Sequence, residues 1–194
     1  MVKNLFTGET YCYNAYDEVV SYTDAESNVT KVVYDAQGNV TSTRDALGAV
    51  TTYEYDNESR PVKVTTLDGT VTEYTYNSDG SITRIAATKG NGEAEELYYL
   101  YALDGSLTVS ISSSDILEYA YNNRGSVTSV TKNNTHQVKL TYDGNGNMTR
   151  LEELTDSITE SVTNYTYDKR GSLTKVSTET EGLLASYISR ADGM

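Results

Sequence analysis

"YDKRGSLTKV" (167–176) restates a phrase already present at "YDAQGNVTST" (34–43), "YNSDGSITRI" (76–85) and "YNNRGSVTSV" (121–130). The common form is Tyr, Asp or Asn, two variable residues, Gly, a further variable residue, an apolar residue and Thr. Self-similarity at a fixed period is the signature of a repeat array and outranks local propensity. Aligned on the opening Tyr, the copies begin at Tyr13, Tyr34, Tyr55, Tyr76, Tyr101, Tyr121, Tyr142 and Tyr167, in steps of 21, 21, 21, 25, 20, 21 and 25 residues. A ninth copy opens at Ser189.

Two columns carry the signal. Four residues after each opener stand Gly38, Gly80, Gly105, Gly125, Gly146, Gly171 and Gly193, with Asp17 and Ser59 as exceptions. Two residues before it stand Tyr11, Tyr53, Tyr74, Tyr99, Tyr119, Tyr165 and Tyr187, with Val32 and Leu140 in the other places. The opener and pre-opener columns hold 15 of the 18 Tyr, so Tyr usage belongs to the repeat and not to one local site.

Each copy reads as two strands. The run after Gly, as in "GSVTSV", is short and rich in β-branched residues, and a second run such as "VTEYTY" (71–76) leads to the next opener. Residues two apart share a sheet face, which puts Tyr74 with Tyr76, Tyr53 with Tyr55 and Tyr165 with Tyr167. Asp35, Asp56, Asn77, Asn122, Asp143 and Asp168 follow their openers as turn formers, and the Gly accepts the positive φ of a hairpin turn. The turn at the opposite end, "DALGA" (45–49), "LDGT" (67–70) or "KNNT" (132–135), reads as looser and variable in length. The two 25-residue copies expand there, and "KGNGEAEE" (89–96) and "ELTDSITES" (153–161) read as long loops.

The expected fold is therefore all-β: tandem hairpins of about 21 residues forming one continuous antiparallel array over 1–194. Eight copies make about 16 strands and a sheet about 75 Å wide, which normal twist must curl or wind into a spiral. Equivalent Tyr are expected to line up as an aromatic ladder from repeat to repeat.

Composition agrees. One Pro and abundant Thr, Val, Ser and Tyr favour strands. A net charge of −13 repels phosphate backbones and anionic headgroups, so nucleic acid is not an expected partner. Membrane insertion is not expected either: no 18-residue apolar run occurs, and "MVKNLFTGET" lacks the apolar core of a secretory signal. The start in mid-pattern reads as a piece of something longer. Cys12 is the one cysteine and reads as a buried or half-buried thiol. Six glycosylation sequons begin at Asn28, Asn39, Asn57, Asn133, Asn147 and Asn164, several of them written by the repeat itself.

Tyr-Asp-x-x-Gly-x-apolar-Thr at about 21 residues, with Tyr-x-Tyr before it, resembles the Rhs/YD repeat, and the resemblance runs from Tyr11 to Met194. It implies a β-sheet strip that spirals into a hollow shell, as in insecticidal toxin complexes, polymorphic bacterial toxins and teneurins. Such a role is structural, in a secreted or cell-surface and often bacterial setting. Family shells use many more repeats, and toxin members carry an Asp-Pro motif linked to self-cleavage that this sequence lacks.

No constellation points to catalysis, a metal or a cofactor. His136 is the single His, in "KNNTHQ". "DGNGNMTRLEE" (143–153) offers Asp143, Asn145 and Asn147 to a calcium loop, but Met148 replaces that loop's Gly, and Leu154 replaces its closing Glu. Asp68 with Asp79, or Glu93 with Glu95 and Glu96, lack any evident acid/base spacing. The sequence thus describes a non-enzymatic structural module, with binding of carbohydrate or protein through the Tyr face or the long loops as the alternative. Exposed strand edges predict self-association.

Overall fold

A computed structural model describes residues 2–3, 8–179 and 182–186. The Tyr187, Ser189 and Gly193 positions of the ninth copy lie outside the described residues. The chain divides into two compact units, Met1–Leu97 and Tyr98–Met194, and the division falls within one strand, Ala94–Tyr101.

Strands β1 (Val2–Lys3), β2 (Thr10–Tyr13), β3 (Val19–Thr23), β4 (Val29–Tyr34), β5 (Val40–Arg44), β6 (Val50–Tyr55), β7 (Pro61–Thr65), β8 (Val71–Tyr76) and β9 (Ile82–Thr88) build the first unit. Each pairs antiparallel with the next. The dividing strand is β10, and the second unit continues as β11 (Leu107–Ile111), β12 (Ile116–Tyr121), β13 (Val127–Lys132), β14 (His136–Tyr142), β15 (Met148–Thr155), β16 (Ile158–Tyr167), β17 (Leu173–Thr178) and β18 (Gly182–Ser186), again an antiparallel meander. The fold is all-β, as the period-2 runs dictate. Among the described residues no helix is long and apolar enough to cross a membrane.

Strand faces alternate as expected. In β6, Thr51, Tyr53 and Tyr55 are half-buried while Val50, Thr52 and Glu54 are exposed, and β4 and β12 repeat the pattern. The sheet of each unit has little sealed interior: among the described residues only Ala86, Leu154 and Val162 are buried apolar side chains.

The opening Tyr always stands at a register shift. Val33 pairs with Ser42 but Tyr34 with Val40, which leaves Thr41 as an extra residue. The same irregularity occurs at Tyr13, Tyr55, Tyr76, Tyr101, Tyr121, Tyr142 and Tyr167.

Three expectations are corrected. First, the far turns of the first unit are not looser. Asp24 N, Asp45 N, Thr66 N and Lys89 N each bond the carbonyl four residues on, at Asn28, Ala49, Thr70 and Glu93, as Asp35 N bonds Asn39 at the near end. Second, 89–96 and 153–161 are not long loops. The extra residues lengthen paired strands, and the second hairpin closes through two residues, Asp156 and Ser157, both at positive φ. Pairing their backbone groups along the ladder satisfies donors and acceptors that a loop would leave to water. Third, the Tyr columns do not pair ring to ring across neighbouring strands. Tyr53, Tyr74, Tyr119 and Tyr165 face Val64, Ile85, Val130 and Val176, because the phrase strand of each repeat lies between successive Tyr strands. Tyr11 and Tyr22 do meet, with ring centroids 5.0 Å apart.

Candidate functional site

The recurrent residues assemble into one constellation per hairpin, built from the turn outward. Asp35 Oδ1 accepts the amides of Gln37 (2.9 Å) and Asn39 (2.8 Å), and Gly38 at φ 89° closes the turn. The first Asx oxygen takes the same pair of amides at Asp56, Asn77, Asn122, Asp143 and Asp168. Where Asp is followed four residues on by Asn, a side-chain amide adds a bond to the second oxygen: Asn28 to Asp24, Asn39 to Asp35 and Asn147 to Asp143, each 2.9 Å. These amide donors hold the three carboxyls below the usual Asp value. Arg60 takes the Asn place in the third copy, binding Asp56 at 2.6 Å and lying 4.7 Å over the Tyr76 ring.

The phrase Thr has a task the sequence reading missed. Thr41, Thr83, Thr108, Thr149 and Thr174 are the extra residues of their bulges. Each Oγ1 donates to the carbonyl just before the opening Tyr, at 2.9–3.3 Å.

The Tyr hydroxyl was missed as well. Tyr34 donates to the Val19 carbonyl at 2.9 Å, Tyr55 to Val40 at 2.8 Å, Tyr76 to Pro61 at 2.6 Å, Tyr121 to Leu107, Tyr142 to Val127 and Tyr167 to Met148, each at 2.8 Å. Every acceptor is the first residue of the phrase strand in the preceding copy, so within each unit these six tyrosines pin a hairpin to the one before it. Burial pushes the Tyr55 and Tyr76 phenols upward, which keeps them protonated as donors. A count of 18 Tyr against one Phe and no Trp was the available signal, since ring packing alone does not select a hydroxyl.

The structure disperses the other candidates. Asp68 and Asp79 sit in turns at opposite ends of β8, each bonded to its own turn's hydroxyls at Thr66, Thr70 and Ser81. Glu93 and Glu95 lie beside Lys89 at 3.3 and 3.6 Å, and Glu96 pairs with Arg84. His136 is exposed, its Nδ1 3.0 Å from Thr135 Oγ1. Asp143, Asn145 and Asn147 form one more turn of the repeat kind. Cys12 is half-buried. Among the described residues no group of three His, Cys, Asp or Glu is placed to hold a metal ion.

Residues 13–46 and 34–71 match the family model RHS Repeat. Within residues 13–71 the chain carries Rhs repeats. Beyond that stretch the likeness is one of fold, and solved structures share it along nearly the whole chain. A crystal structure of TcdB2-TccC3-TEV superposes with a TM-score of 0.74 over 95% of this chain at 16% identity. A crystal structure of TcdB2-TccC3 without its hypervariable C-terminal region gives 0.71 over 89% at 15%. A Photorhabdus luminescens Tc holotoxin pore gives 0.69 over 94% at 13%. This chain covers 10–12% of those chains, about a tenth of their length. No curated protein matches the sequence.

Proposed function

We propose that the chain is a non-enzymatic wall segment of an Rhs-type structural scaffold, part of an encapsulating shell in a secreted or cell-surface assembly. One observation carries this reading: the recurrent side chains, Tyr hydroxyl, turn Asx and phrase Thr, are bonded to the chain's own backbone, and the Tyr bond joins one hairpin to the next. Residues repeated for a ligand would keep polar groups turned away from the chain. The likeness to chains about ten times longer supports a segment of a larger wall.

Small-angle scattering with light scattering over a concentration series tests the reading. A cross-section about 10 Å thick, that of one sheet layer, is expected, and a closed oligomer around a void is expected if short chains complete a shell. A solid two-layer particle without a void overturns it.

Exposed apolar turn tips favour a second reading, a binding module for a carbohydrate or protein partner. Leu47 and Leu67 are 95% and 69% exposed in neighbouring far turns of the first unit. With the long loops gone, those tips replace them as the contact surface, and a glycan array with a Leu47→Ser, Leu67→Ser control distinguishes this reading from the first.

A further inference from the structure

We propose that Lys31 and Arg44 form a binding site for an oxyanion, a carboxylate or sulfate group, on the sheet face opposite the pinned tyrosines. The two residues are direct cross-strand partners on β4 and β5. Such partners hold their Cβ atoms about 5 Å apart, and like charges in that position are destabilising. Both are exposed. Some cations of this chain answer carboxylates: Lys63 lies 3.1 Å from Glu54, Lys132 2.9 Å from Asp115 and Arg60 2.6 Å from Asp56. Lys31 and Arg44 have no ion-pair partner among the described residues. Asp45, adjacent in sequence, spends Oδ1 on the amides of Leu47 (2.9 Å) and Ala49 (2.8 Å) within its own turn.

The two cations line an open cleft together with Ser27, Asn28, Leu47, Gly48 and Asp45, whose carboxylate is the one acidic group in the lining. A Cβ at Gly48 would lie 3.4 Å from Arg44 Nη2, so the guanidinium rests beside the turn at Gly48. The planar guanidinium fork matches the paired oxygens of a carboxylate or sulfate, and the Lys31 ammonium adds a point charge. An anion bridging the pair converts a repulsive contact into two attractive ones. The exposed Leu47 tip at the rim suits a ligand that joins an anionic group to an apolar portion.

The test titrates the full chain with sodium sulfate and with sodium acetate against sodium chloride at matched ionic strength, following Arg44 Nε–H and the Lys31 ammonium by NMR. A saturable shift with sulfate or acetate that chloride does not reproduce is expected, weakened about tenfold in Arg44→Thr and in Lys31→Thr. A response to sulfate alone assigns a sulfated ligand, and a response to both assigns the carboxylate class as well. The Thr variants are also expected to melt no lower than the parent in dilute chloride, since each removes the repulsion. Equal shifts in chloride, or variants that keep the response, mean an adventitious ion only and overturn the proposal. Variants that melt lower in dilute chloride overturn the repulsion on which it rests.

Discussion

At Tyr55 the ring and the hydroxyl have separate tasks. The ring covers the half-buried face, and the hydroxyl donates to the Val40 carbonyl of the preceding hairpin. Tyr55→Phe keeps the ring and leaves that carbonyl without its side-chain donor, so urea unfolding is expected to show a loss of about 1 kcal/mol. Tyr13 supplies the control: it is 41% exposed and makes no such bond among the described residues, so Tyr13→Phe is expected to leave the urea midpoint unchanged. An equal loss in both variants would show that the pin contributes nothing. Ser59 makes a second residue-scale case, because it holds the glycine place of its turn at φ 61°. A non-Gly side chain is strained there, while Gly costs chain entropy in the unfolded state. The strain is the larger effect, and Ser59→Gly is expected to raise stability by about 0.5 kcal/mol, read as a higher thermal midpoint.

The hairpin is the unit at the next scale, and turn chemistry sets its register. Residues Asp156 and Ser157, at φ 50° and 68°, close β15 and β16 with Thr155 paired to Ile158. Positive φ at both central residues is the geometry that Asn-Gly prefers, and the twist of such a turn matches that of its strands. Replacing Asp156-Ser157 with Asn-Gly is expected to slow hydrogen exchange along β15 and β16 while leaving the pairing unchanged. Faster exchange in these strands would contradict the turn assignment. The bulge at each opener belongs to the same scale. It interrupts the ladder, and the phrase Thr offsets the interruption by donating to the carbonyl before the opening Tyr.

For the whole molecule, acidity and the turns act together. Asp24, Asp35 and Asp143 are held below the ordinary Asp value of 3.8, first by the side-chain amides of Asn28, Asn39 and Asn147. A carboxyl depressed in the folded state contributes stability that is present above its unfolded value and lost as pH falls through the folded one. Urea midpoints are therefore expected to hold down to about pH 4 and then fall, with a shallower fall in Asp35→Asn, Asp143→Asn. Tyr22 works with the opposite sign. Its phenol is pushed up to about 12, chiefly by its hydrogen bond to Glu9, so its contribution is complete below about pH 10 and disappears as pH rises through 12.

The amino-acid sequence by itself determined the period, the two strands per copy, the shared face of the paired Tyr and the Asx-Gly turn. All of these follow from local spacing: period 2 along a strand, and positive φ in a turn. Tertiary structure decided what the repeats do to one another. The hydroxyl of Tyr55 meets a carbonyl 15 residues earlier, and Thr41 meets the carbonyl of Val33 across a bulge. Both contacts depend on a one-residue register shift that no composition or spacing displays. The same dependence explains the two misread 25-residue copies. Added residues become loop or longer strand according to whether the neighbouring strand has backbone donors and acceptors to meet them, and that is a property of the sheet. The Lys31–Arg44 pair arises in the same way, from residues 13 apart that only the β4–β5 register places face to face.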